Sequence, residues 1–332
     1  PPLGDTWTYD GTTWLELQPS SAPTGRQYTA MVYDSARDRT VLFGGRSSQG
    51  DENDTWEFDG STWTEVFVAS APEPRRQHTL IYDPVRQRVV LTAGIREDGA
   101  HLGDTWEFDG STWTPITSLS PRAGHCMTYD VARMRGVMQG GLGPVGTLAE
   151  TWELDANQWT PPPYQSPSSA LYPIMAFDHN RGRAVLLATG ETGMETWEFD
   201  GEAWERVLTS QSPDSGSAAR LVYSGTQQRM VLFGGVAGGT SHADTWEYDG
   251  QDWYLVTPAV SPSGRGNHGM SYDSNRGVVV LYGGRTAAGQ WLDDTWEFDG
   301  SSWTHVETPE SPPARITFAM DYDVARDLTV VF

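Results

Sequence analysis

The sequence contains no lysine. All 22 of its cations are arginine, set against 44 acidic residues, for a formal net charge of −22. That absence excludes Schiff-base chemistry and any phosphate-binding loop built around a lysine. So acidic a chain should repel nucleic acid and anionic membrane unless its few cations are focused in one place. There is a single cysteine, Cys126, so no disulfide forms within the chain, and one thiol does not report a redox compartment. No apolar run reaches the roughly 18 residues of a spanning helix, so no membrane insertion is expected. The chain opens on Pro1, Pro2 and Leu3 within what reads as a repeat. A signal peptide is therefore expected to be absent, whether removed or never made. The acidic, lysine-free, Ser- and Thr-rich composition points to a bacterial secreted or cell-envelope protein ahead of a cytosolic one.

What the chain has is tryptophan, at 15 copies. A [Asp/Glu]-Thr-Trp triplet begins at Asp5, Asp54, Asp104, Glu150, Glu195, Asp244 and Asp294, at intervals of 49, 50, 46, 45, 49 and 50 residues. A second tryptophan follows each first one: Trp14, Trp63, Trp113, Trp159, Trp204, Trp253 and Trp303. Only Trp291 stands outside the pairs. Such regularity over the whole length is the signature of a repeat architecture.

One unit reads as four strands. His78–Tyr82 is a short apolar strand A, and Asp83–Arg86 turns the chain. Arg88–Thr92 is a β-branched strand B closed by Ala93-Gly94, and Asp104–Phe108 is strand C. Asp109-Gly110 is a hairpin turn, because glycine accepts positive φ and aspartate tolerates it. Ser111–Thr114 is strand D. Four antiparallel strands per unit, with no helical periodicity, make a propeller blade. The N-terminus supplies only strands C and D (Asp5–Tyr9 and Thr13–Leu17), and the C-terminus only A and B (Phe318–Tyr322 and Leu328–Phe332). Together they complete one blade, which removes two exposed sheet edges. The expected fold is therefore all-β, a single seven-bladed β-propeller domain over residues 1–332. Its blades lie near 28–66, 78–116, 125–160, 172–207, 219–256, 268–306, and 318–332 with 3–17.

The repeat resembles the Kelch family, which has a double glycine after strand B and spaced aromatics in C and D. Here the glycines are Gly44-Gly45, Gly140-Gly141, Gly234-Gly235 and Gly283-Gly284, with one partner replaced at Ala93-Gly94 and Thr189-Gly190. The resemblance covers the whole chain. It departs from the family in a short C–D turn (Asp59-Gly60-Ser61-Thr62-Trp63), which also has something of the Asp-box turn of sialidase-like propellers. In Kelch domains that recognise acidic peptides, arginines near the mouth of the channel carry the binding, and the resemblance implies the same possibility here.

An arginine stands eight residues before the Asp of the A–B corner in five blades: Arg26, Arg75, Arg122, Arg265 and Arg315. Blades four and five have Ala170 and Gly216 instead. Strand A is innermost in Kelch-like blades, so the resemblance implies that these guanidiniums ring the channel mouth, where they could grip carboxylates in bidentate fashion. The alternative is that each pairs with an acid or a carbonyl of the blades. The Asp–Arg corners themselves (Asp34 with Arg37, Asp83 with Arg86, and their repeats) and the paired tryptophans recur too strictly to be a site and are read as structure. His78, His125 and His268 follow three residues after the arginines in separate blades; their spacing is that of the repeat, so no metal is expected. Trp291, with Tyr28 and Tyr172 on the same face, is a candidate anchor for a partner. The loops Arg46–Asn53, Ile95–Gly103, Leu142–Ala149, Val236–Ala243 and Arg285–Asp293 are the variable parts of that face.

No catalytic constellation emerges, and no cofactor is expected. The reading is a non-catalytic, monomeric module that binds a protein or acidic peptide. Two others stand beside it: a carbohydrate-binding or glycan-processing propeller, and a scaffold domain of a larger surface protein.

Overall fold

The computed structural model describes residues 2–161, 166–167, 172–190, 193–214 and 216–332. Its strands form seven antiparallel blades, each with strand A innermost and strand D outermost. The chain is a seven-bladed β-propeller. In blade two the order is Thr79–Asp83, Arg88–Ile95, His101–Phe108 and Trp113–Ser118. Strands B and C run beyond their expected ends because the segment between them continues as a hairpin, with His101 opposite Ile95. In blades three and five the same segment folds into a small separate hairpin, Leu142–Gly143 with Gly146–Thr147 and Val236–Ala237 with Thr240–Ser241. The two ends share the seventh blade: Trp7, Thr8 and Tyr9 pair with Val331, Val330 and Thr329. No helix occurs among the described residues, so none is long and apolar enough to cross a membrane.

The core lies between blades. Each of seven apolar clusters joins strand B of one blade to the next sheet; Val41 and Phe43 of blade one, for example, meet Leu80, Val89, Leu91, Phe108 and Trp113 of blade two. The second tryptophan of every blade is the fastener. Its indole N–H donates to the threonine of the preceding blade's triplet: Trp63 to Thr6, Trp113 to Thr55, Trp159 to Thr105, Trp204 to Thr151, Trp253 to Thr196, Trp303 to Thr245 and Trp14 to Thr295. All seven distances fall between 2.7 and 2.8 Å. The indole thus buries a large apolar area and satisfies its one polar atom, and the threonine hydroxyl is satisfied with it.

The A–B corner makes a second joint on the opposite face. Asp34 caps its turn by accepting the Ala36 and Arg37 N–H groups, and Arg37 bonds to Asp34 and Glu57. The same guanidinium lies 5.3 Å from the Phe108 ring centre of the next blade. Arg133 over Phe199, Arg181 over Tyr248 and Arg276 over Tyr9 repeat the arrangement.

Candidate functional site

The mouth of the channel is ringed by seven residues, one per blade, in left-handed backbone conformation: Tyr28, Gln77, Gly124, Tyr172, Ala218, Asn267 and Thr317, with φ from 54° to 64°. Only one is glycine, so the other six hold a conformation that costs of order 1 kcal/mol each. Hydrogen bonds between blades hold them there. Tyr28 N–H donates to the Thr317 carbonyl, Gln77 to Tyr28, Gly124 to Gln77, Asn267 to Ala218 and Thr317 to Asn267, at 3.0 to 3.4 Å. Gly124 has a steric duty as well: a Cβ there would lie 2.5 Å from the Tyr172 ring, which spreads over it from the next blade.

Below this ring opens a cavity of about 720 Å³. Tyr28, Gln77, Tyr172, Asn267 and Thr317 form its rim, and Met127, Ile174, Met175, Leu221 and Phe318 give it apolar walls. Among the described residues its wall contains two arginines, Arg220 and Arg285, and no aspartate or glutamate. In a chain of net charge −22 that is a local reversal of sign.

The five arginines expected to point into this mouth do not. Arg26, Arg75, Arg122, Arg265 and Arg315 are buried, and each turns into its own blade to pair with the acid that opens strand C. Arg75 makes two 2.7 Å bonds to Asp104, Arg26 bonds to Asp54 at 2.5 and 2.8 Å, and Arg265 to Asp294 at 2.5 and 2.7 Å. Arg122 meets Glu150 and Arg315 meets Asp5, both at 2.6 Å. A further proton goes to the carbonyl ending strand B, Gly44, Ala93, Gly140 or Gly283. Those four guanidiniums therefore clamp strands A, B and C of one sheet, because a buried cation is held only where carboxylate and carbonyl both meet it. Arg315 donates instead to the Pro313 carbonyl and Asp5, with no bond to strand B among the described residues. Burial alone would raise the pKa of Asp54, Asp104 and Asp294; the arginines outweigh it and hold them below the ordinary carboxylate value.

Arg220 and Arg285 are the exceptions among the arginines: neither guanidinium bonds to any of the described residues. Every other one donates to a carboxylate or to a main-chain carbonyl. Arg285 is exposed in the B–C segment of blade six, where its backbone pairs with Gly266 and Trp291. Arg220 opens the inner strand of blade five. It has open surface, yet protein surrounds it enough for burial to push its pKa below the ordinary value. Both facts describe a side chain standing in the channel. Asp321, on the inner strand of blade seven, is the one acid at its position among the inner strands. Burial raises its pKa to about 6, against the N–H bonds it accepts from Tyr322 and Tyr33 at 2.9 and 2.8 Å.

Tyr28 and Tyr172 are exposed on the rim of the cavity. Trp291 is exposed beside a smaller cleft bordered by Leu3, Gln27, Ile316 and the paired Arg26 and Arg315. His78, His125 and His268 are buried in separate blades, the last two with no partner at either ring nitrogen among the described residues. Burial, and then the positive charge of neighbouring arginines, drives the first two to about 3 and the third well below its ordinary value. No group of three or more metal-ligating side chains gathers among the described residues. Ala170 lies outside them.

No family model matches the chain, and no curated protein matches it. Its likeness is to solved structures. It is similar to the structure of YjhT, with a TM-score of 0.60 and 16% identity, over 88% of this chain and 99% of that one. At that identity the likeness shows the shared propeller fold alone.

Proposed function

We infer that this chain is a Kelch-like binding module, without catalytic duty, that holds an acidic segment of a partner protein at the mouth of its channel. One observation carries the reading: among the described residues, the 720 Å³ cavity has an acid-free wall with two unpaired arginines in a strongly acidic body. A concave wall of one sign focuses the field, so a negatively charged segment is drawn to the mouth and repelled elsewhere. Exposed Tyr28 and Tyr172 on the rim, with Trp291 beside it, offer rigid apolar anchors. The Kelch resemblance supports the same face.

The test is an array of acidic and neutral peptides probed with the wild type and with an Arg285→Ala/Trp291→Ala variant. Acidic peptides are expected to bind, more weakly as salt rises, and about 10-fold more weakly to the variant. Equal retention of neutral and acidic peptides, or an unaffected variant, would refute the reading.

A further inference from the structure

The first position of the seven inner strands carries Ala30, Thr79, Cys126, Ile174, Gly269 and Ala319 in six blades and Arg220 in the other. Arg220 borders the mouth cavity and also a second space of about 220 Å³ further along the channel. The remaining walls of that space belong to blades one, two, six and seven, including Thr29, Met31, Thr79, Leu80, Met270 and Met320. A side chain rooted in blade five that reaches this wall extends into the bore. A guanidinium keeps its proton in protein surroundings, and holding it partly out of water with no partner is costly. Among the described residues every other arginine but Arg285, which like Arg220 keeps open surface, has a carboxylate or carbonyl partner.

The donors around the throat narrow the ligand. Five of the seven rim N–H groups are engaged with the carbonyl of a neighbouring blade, so they form no cradle of backbone donors of the kind that holds phosphate. What remains is the flat fork of Arg220, with the Arg285 guanidinium and the Gln77 and Asn267 amides at the mouth, and apolar side chains close by. A planar fork matches a carboxylate in size and shape and bonds it through two parallel N–H···O contacts.

We propose that Arg220 is a carboxylate receptor in the throat of the propeller, which a ligand enters end-on from the mouth. Only the direction of entry rests on the function proposed above. The carboxylate has two sources, the C-terminus of a bound protein segment or a free small organic acid.

Three probes separate the sources: an acidic octapeptide with a free C-terminus, the same peptide amidated, and propionate. Each is titrated calorimetrically, and by thermal unfolding, against wild type, Arg220→Gln and Arg220→Lys. For a C-terminal ligand, the free-acid peptide binds wild type about 10- to 100-fold more tightly than the amide, the worth of a charge-assisted hydrogen-bonded pair. Arg220→Gln abolishes that preference and Arg220→Lys keeps part of it. For a small acid, propionate raises the melting temperature of wild type and not of Arg220→Gln, with no preference between peptides. Without ligand, Arg220→Gln melts no lower than wild type, because no internal partner is lost; a structural arginine would give the opposite. The proposal is overturned if Arg220→Gln retains both the peptide preference and the propionate effect, or if wild type shows neither. If both peptides fail to bind while propionate acts through Arg220, the mouth reading falls and the throat site stands. If both peptides bind wild type and Arg220→Gln alike and propionate has no effect, the throat site falls and the mouth reading stands.

Discussion

In blades one, two, three, six and seven, an arginine ahead of the inner strand locks strand A to strand C through a buried ion pair; blade five has no such lock. There Gly216 occupies the position with φ +61°, and a Cβ would collide with the Val236 carbonyl. Asp244, the acid left without an arginine, faces His242 at 3.8 Å. In blade four the corresponding Glu195 turns outward to Arg206 of strand D, at 3.0 Å. These two blades have Pro173 and Ala219 where blades two, three and six carry the buried histidine, as blades one and seven have Thr29 and Phe318, and they contribute Tyr172 and Arg220 to the channel. The clamped blades use their repeated charges to hold themselves together. The unclamped pair carries a charge that nothing in the fold uses, which is what a site grafted on a symmetric scaffold requires.

Acid gives the largest expected effect, and it separates the three histidine-bearing clamped blades from the other four. His78, His125 and His268 are neutral when folded and take up protons readily only when unfolded, so the unfolded state binds more protons between about pH 6.5 and pH 3. Stability is complete above that window and is lost as the pH falls through it. The loss by pH 5 is on the order of 5 kcal/mol for the three together. Hydrogen exchange at pH 5 is expected to accelerate first in the inner strands of blades two, three and six. Uniform acceleration in all seven blades would dissolve the distinction, and His125→Phe is expected to remove its own share of the pH dependence.

Next in size is the clamp. Arg75→Ala leaves the Asp104 carboxylate partly buried without its partner, and is expected to cost about 3 kcal/mol in denaturant unfolding at pH 7. The reverse graft, Gly216→Arg, is expected to destabilise blade five by about 1–3 kcal/mol rather than lock it, because the backbone there is left-handed. A gain in stability from that graft would show that blade five lacks the clamp by accident of sequence.

The ring, the shared seventh blade and the structural role of the tryptophans were legible in the sequence, because repetition at a fixed phase reports packing directly. The site was not, although the signal was present. Arg26, Arg75, Arg122, Arg265 and Arg315 recur at one phase, which by the same logic marks them as mortar; their likeness to binding arginines drew attention the wrong way. Aligning the seven inner strands isolates Arg220 and Asp321 at once, each a lone charge in a neutral column. The left-handed rim had no sequence signal: with Tyr, Gln, Ala, Asn and Thr beside a single glycine, its conformation comes from hydrogen bonds between blades and not from local preference.

A smaller effect should ignore the contrast altogether. Trp113→Phe in a clamped blade and Trp204→Phe in an unclamped one each remove one indole donor from a buried threonine, Thr55 or Thr151. Each is expected to cost about 1–2 kcal/mol, and the two values should agree within the error of denaturant unfolding. A marked difference would mean that blades four and five are looser throughout, and not only at the channel.

The smallest effect concerns the other lone charge of the channel. Because burial raises the Asp321 pKa to about 6, the folded state binds the extra proton between the ordinary carboxylate pKa and pH 6. This contribution is present at low pH and is lost as the pH rises through 6, opposite in sign to that of the histidines. Asp321→Asn removes the charge, but its amide can accept only one of the two N–H bonds now taken by the carboxylate from Tyr33 and Tyr322. Relief of charge and loss of one acceptor nearly cancel, so the substitution is expected to change stability at pH 7.5 by less than about 1 kcal/mol. The more telling readout is its slope: unfolding measured from pH 5 to 7.5 should lose the small decline that Asp321 contributes, leaving a steeper rise from the histidines. If the slope is unchanged, Asp321 is ionised throughout that range, and Arg220 is not the only channel charge held against its own desolvation.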